Sequence, residues 1–111
     1  MKQTINKSQF RDAFLTWDTY SKNFSYEGLG LLYDGLEDLA NDTGEEYELD
    51  VVAICCEFEE FNYDYIASLY EIDLTDLTPD VAFQVVLDYL YDNTLVLGYD
   101  ADLAIIIYQQ F

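Results

Sequence analysis

Histidine is absent from this 111-residue chain, and bases are scarce: four Lys plus Arg stand against 23 Asp plus Glu. Without an imidazole, Ser-His and Cys-His nucleophile pairs and His-ligated metals are excluded together. The two cysteines, Cys55 and Cys56, are neighbours. They are too few for a structural zinc tetrad and too close in sequence for a routine disulfide. Both are expected to serve as small buried hydrophobes in a reducing cytosol. No apolar run approaches the roughly 20 residues of a membrane helix. No N-terminal stretch combines basic flank, apolar run and cleavage site, so the expected location is the cytoplasm. Gly28-Leu29-Gly30 lies inside a helical pattern and is no phosphate loop. Carboxylate pairs suited to glycoside hydrolysis carry no specificity in so acidic a chain. Asp73, Asp76 and Asp80 do not match a calcium loop. The expectation is a protein that is not an enzyme and has no cofactor and no dedicated metal site.

What is present is a core and a charge. Hydrophobic residues make up 51% and aromatics 17%, enough to fold without disorder. With no linker, repeat or low-complexity tract, residues 1–111 read as a single domain. The net charge of −19 is unevenly placed: Lys2, Lys7, Arg11 and Lys22 are the only bases and lie in the first 22 positions. Asp12 and Asp18 are the acids of that segment, which leaves 21 acids and no base from Ser25 onward. Nucleic acids and anionic membranes are repelled by such a body. A compact domain of this length is roughly 34 Å across. Duplex DNA carries 21 phosphates over about 36 Å of axis.

Residues 1–7 read as a loosely held basic arm. Ser8 is expected to cap a helix over 9–18, with Phe10, Ala13, Phe14 and Trp17 turned inward. Ser25 is expected to cap a second helix to about Asn41, with Gly44 as its terminator. Gly28, Gly30 and Gly35 weaken that helix by roughly 1 kcal/mol each relative to Ala, and allow another element to approach closely. Val51–Phe58 reads as a strand covered on both faces. A short helix over about 62–70 follows, Asn62 its cap and Tyr65, Ile66, Leu69 and Tyr70 inward. Thr78-Pro79 starts a helix to about Tyr91, and Thr94–Leu97 with Leu103–Tyr108 reads as a hairpin. The expected class is α+β, order ααβααββ, with a three-stranded antiparallel or mixed sheet and helices packed on it.

The acids fall where helices disfavour them. Asp34, Asp38 and Asp42 stand at i, i+4, i+8, and Asp80, Asp88 and Asp92 share a stripe with Gln84 in the gap. Like charges at i, i+4 destabilise a helix by a few tenths of a kcal/mol per pair, and the macrodipole disfavours Asp42 and Asp92 near C-terminal ends. Each i, i+4 step rises about 6 Å, close to the spacing of phosphates along one strand. Glu45, Glu46 and Glu48 cluster before the expected strand, and Glu57, Glu59 and Glu60 after it, about 26 Å apart if the strand is extended. Tyr33, Tyr65, Tyr70 and Tyr89 are expected in the core. Tyr47, Tyr63, Tyr91 and Tyr99 are expected to cover it or to supply contact area at an interface.

The segment Asn23–Phe61, NFSYEGLGLLYDGLEDLANDTGEEYELDVVAICCEF followed by EEF, resembles a segment of short acidic proteins of bacteriophages and mobile elements, as does the ending IIIYQQF. FSYEGL and LDVVAICCEF are the most specific pieces. No reaction is attached to that family. In size and charge the chain also resembles phage DNA-mimic inhibitors of restriction enzymes and CRISPR effectors. The resemblance implies an inhibitor in the cytoplasm of a bacterial host. The resemblance carries over no functional residue; the charge pattern itself points to the two Asp stripes and the two Glu clusters as the surface that would meet a basic nucleic-acid-binding defence protein of that host. An acidic adaptor that recognises a basic protein without imitating DNA is the alternative, and salt adaptation is a third source of such acidity. The basic first segment is expected to pack against acids of the same chain or of a second copy in a dimer.

Overall fold

The computed structural model describes residues 6–17, 23–43 and 50–111. Helix α1 (Lys7–Leu15) begins two residues earlier than the Ser8 cap implied, so Lys7 is helical and not part of a loose arm. Asn6 is the cap: its side chain accepts from the Gln9 N–H while the Gln9 side chain accepts from the Asn6 N–H, a reciprocal capping box. Phe10 and Phe14 are buried, but the helix ends before Trp17, which is 46% exposed. Helix α2 (Tyr26–Thr43) is capped by Ser25, whose Oγ accepts from the Gly28 N–H at 2.9 Å. Gly44 lies outside the described residues.

The largest departure from the sequence reading is Val51–Glu57, which is a helix, α3, and not a strand. Asp50 caps it, accepting from the Ala53 N–H at 3.1 Å. Val51, Ile54 and Cys55 are buried while Val52, Ala53 and Cys56 are not. That is the i, i+3, i+4 pattern of one helix face. β-branched residues favour strands only weakly and in context, and a local cap with a one-sided apolar face outweighs them here. The chain turns extended at Phe58 and forms β1 (Phe58–Asn62). Helix α4 (Tyr63–Leu69) follows, with Ile66 buried and Tyr65 and Leu69 about half exposed. Asn62 precedes α4 without a capping side-chain bond. Helix α5 (Pro79–Asn93) starts at Thr78-Pro79 as its sequence predicts, the Thr78 hydroxyl accepting from the Val81 N–H.

Strands β2 (Val96–Asp100) and β3 (Ile105–Gln109) form the C-terminal hairpin. Gly98, Tyr99 and Asp100 belong to the strand, and the turn occupies 101–104. The sheet has the order β1-β3-β2 and is antiparallel throughout. The element order is therefore αααβααββ, an α+β domain with one helix more than expected.

The strand covered on both faces is β3: Ile105, Ile106, Ile107 and Tyr108 are all buried. Successive residues of a strand point to opposite faces. Ile107 joins a cluster with Phe10, Phe14, Leu29, Leu32, Leu36, Ile54 and Phe58, built on α1, α2 and α3. Ile106 and Tyr108 join Ile66, Phe83, Val86, Leu87 and Leu90, built on α4 and α5. The fold is thus three layers, helices on both sides of a small sheet. Val96 faces the second cluster and Leu97 the first, and a bulge between Val96 and Gly98 turns the next residue, Gly98, toward Leu31 of α2 as well. There the β2 backbone runs so close to α2 that a Cβ on Gly35 would lie 2.6 Å from the Leu97 carbonyl oxygen. No described helix is long and apolar enough to cross a membrane.

Candidate acidic interface

The layering decides which acids share a surface. Helices α2 and α5 pack on opposite faces of β3, so their outward stripes point away from each other. Asp34 and Asp38 are exposed on one side; Asp80, Asp88 and Asp92 are exposed on the other. Asp42 lies in the last turn of α2, with its side chain outside the described residues, as are Glu45, Glu46 and Glu48. The two helical stripes therefore do not form one interface.

Glu57, Glu59 and Glu60 are not a solvated loop either. Glu57 ends α3 and accepts from the Gln109 side chain at 2.9 Å. Glu60 is half-buried and accepts from both the N–H and the hydroxyl of Ser25, at 2.9 and 3.0 Å. It ties β1 to the start of α2 and is structural. Glu59 pairs across the sheet with Tyr108 and lies on the α4–α5 side. The Tyr108 hydroxyl is buried beside Glu59 and Tyr70 yet closes no hydrogen bond among the described residues. Burial first, then the Glu59 charge, pushes its pKa well above the usual tyrosine range.

The described cations, Lys7 and Arg11, lie on the α1–α2 side. Lys7 Nζ bonds Asp34 at 3.0 Å. The Arg11 guanidinium stacks 3.8 Å over the Tyr26 ring, and its Nε donates to the Tyr26 carbonyl. Of the basic segment, Lys7 thus meets an acid of its own chain and Arg11 an aromatic ring. Part of the α2 stripe is already neutralised.

The opposite face is different. Asp64, Glu71, Asp73, Asp76, Asp80, Asp88 and Asp92 are all exposed on α4, α5 and their connection, and the sequence holds no base after Lys22. Asp88 accepts from Gln84 at 2.7 Å, which orders the stripe. Asp73 accepts from the Thr75 N–H at 2.9 Å, and the Thr75 side-chain and backbone hydrogen bonds hold its pKa below the usual carboxylate value.

At one end of this face is a cleft of about 410 Å³ lined by Tyr63, Pro79, Asp80, Phe83, Gln84, Tyr99, Ala101, Asp102 and Ala104. Phe83 lies 5.8 Å, centroid to centroid, from both Tyr63 and Tyr99. The sequence leaves Tyr63 and Tyr99 open between core cover and interface contact and gives no sign of Phe83 and Asp102, because only the tertiary docking of hairpin on helix brings them together. Tyr65, expected in the core, is 49% exposed; Tyr33, Tyr70 and Tyr89 are partly buried. Tyr47 lies outside the described residues. A second cavity of about 310 Å³ lies along β1, lined by Asn23, Cys55, Phe58, Glu59, Glu60, Phe61 and Gln110. Cys55 is buried while Cys56 is exposed, a correction to the expectation that both are buried. Burial raises the Cys55 pKa, and Cys56 beside it adds to the rise. Among the described residues no three metal-ligating side chains gather. No family model, no curated protein and no solved structure matches the chain.

Proposed function

We propose that the protein is a non-catalytic inhibitor that presents a DNA-like carboxylate surface to a basic nucleic-acid-binding protein and occupies its DNA groove. The observation that supports this is the α4–α5 face, with seven exposed acids and no base on either helix or their connection. An ordinary soluble surface mixes both signs. Here the like charges on α5 lower stability and are relieved only when an external cation arrives. Any single exposed ion pair contributes about 1 kcal/mol or less, so affinity on this reading is spread over several contacts, as in non-specific DNA binding. The target is a host defence protein, a nuclease, CRISPR effector or restriction subunit. The contact surface is narrower than the sequence implied: Asp80, Asp88 and Asp92 with their neighbours on α4, and not the α2 stripe or Glu60.

One observation favours the alternative of an acidic adaptor that recognises a basic partner without imitating DNA. The aromatic cleft is a compact feature of the kind that anchors ordinary protein interfaces. The test is affinity capture from a bacterial lysate, followed by binding measurements on the captured partner at two salt concentrations and with duplex DNA as competitor. Mimicry requires that affinity fall steeply with salt and that DNA displace the chain. A ternary complex of partner, DNA and this protein refutes mimicry and leaves the adaptor.

A further inference from the structure

We infer that the cleft between the first turn of α5 and the β2–β3 turn receives one cationic side chain, an arginine or lysine, presented by a basic partner protein. The inference rests on the reading that the partner is basic, not on whether that partner binds DNA. Three aromatic rings, Tyr63, Phe83 and Tyr99, line the cleft, with Asp80 and Asp102 in the same wall. Aromatic faces attract a desolvated cation through their quadrupole, and a carboxylate adds charge-assisted hydrogen bonds, bidentate for a guanidinium. Anions are repelled by the two aspartates, and a neutral apolar ligand would bury them without a partner, which costs more than its own burial returns.

The wall is held in place before any ligand arrives. Asp100 Oδ1 accepts from the N–H groups of Asp102 and Leu103, at 2.9 and 3.1 Å, and Ala104 takes a left-handed φ of 60°. The Tyr63 N–H donates to the Ala104 carbonyl at 3.0 Å, which fixes the turn against α4. Among the described residues no side chain donates to Asp80 or Asp102. The described cations of the chain, Lys7 and Arg11, are engaged on the far side of the sheet with Asp34 and Tyr26. Neither of these two neutralises Asp80 or Asp102, which a partner's cation would, and about 410 Å³ accommodates one long side chain and not a helix.

The experiment titrates the labelled full chain with an N-acetylated, C-amidated Gly-Arg-Gly peptide, followed by NMR, with the citrulline peptide as a neutral isostere. Shifts confined to the cleft around Tyr63, Phe83 and Tyr99, absent with citrulline, are expected. The double substitution Asp80→Asn with Asp102→Asn should weaken binding roughly tenfold or more, a loss of about 1.4 kcal/mol. Tyr99→Leu should do likewise by removing one π-face, while the dispersed amide spectrum of both variants reports an intact fold. Equal binding of the citrulline peptide, shifts spread evenly along α5, or full affinity in the Asn variant overturns the inference. Capture of a partner whose salt-sensitive binding is unchanged by the Asn pair also overturns it while leaving mimicry standing. Arginine binding in the cleft with no displacement by DNA supports the inference and refutes mimicry.

Discussion

Substituting alanine at two glycines of α2 tests the layer packing directly, because the same change meets opposite obstacles. Alanine raises helix propensity by about 1 kcal/mol at either position. At Gly35 the new Cβ would lie 2.6 Å from the Leu97 carbonyl oxygen and 2.7 Å from the Leu97 Cβ. Restoring an ordinary separation of about 3.5 Å requires helix and strand to part by about 1 Å. The oxygen belongs to a strand backbone and cannot swing aside, so the overpacking penalty falls near the upper end of about 1–3 kcal/mol. The net loss for Gly35→Ala is about 2 kcal/mol. At Gly30 the obstacle is the end of the Arg11 side chain, which can rotate away. What is forfeited there is the exposed stacking of Arg11 on Tyr26, about 0.5–1 kcal/mol. Gly30→Ala therefore comes out near neutral. Thermal and urea unfolding followed by circular dichroism measures both, and about 4 °C per kcal/mol is expected for a domain of this size. Gly35→Ala should melt about 8 °C below the parent and Gly30→Ala within a few degrees of it. A Gly35→Ala protein as stable as Gly30→Ala would refute the contact between α2 and the β2 bulge.

Two further outcomes follow from buried side chains. Tyr108→Phe removes a buried hydroxyl without a hydrogen-bond partner among the described residues and should leave stability unchanged or raise it by about 1 kcal/mol. Because the Tyr108 pKa is raised in the folded state, its contribution is complete below the unfolded tyrosine pKa of about 10 and is lost as pH rises beyond it. Alkaline unfolding should therefore shift to higher pH in the Phe variant, and an unchanged midpoint would contradict the burial. A thiol reagent under native conditions should modify Cys56 rapidly and Cys55 only on unfolding, since one is exposed and the other buried with a raised pKa. Mass mapping of the labelled peptide decides it.

The signals legible in sequence were local ones. Ser25 and Thr78-Pro79 mark helix starts by their own hydroxyls, and the run Ile105–Tyr108 with its preceding turn marks a hairpin. Val51–Glu57 misled because VVAICC satisfies alternation and helical period equally, and only the Asp50 cap and the one-sided burial separate them. Assignment of acids to faces was not legible. It depends on Ile106 and Ile107 facing different clusters, which places α2 and α5 back to back. Glu60 looked like one of a solvated trio because its two donors on Ser25 are 35 residues away in sequence. The cleft drew on residues from 63 to 104 and had no contiguous pattern to reveal it.

The strand that completes both hydrophobic clusters, β3, follows every other described element in chain order. During synthesis, α1 to α5 and both future edge strands emerge with their apolar faces open, and neither cluster closes until Ile106 and Ile107 arrive together. Pairing Asn62 with Ile105 and Phe58 with Gln109 closes long loops late, the kind of non-local step that slows folding. Over that interval the acids of the nascent chain repel other copies of it. The same charge that would meet a basic partner also keeps the unfinished protein from aggregating.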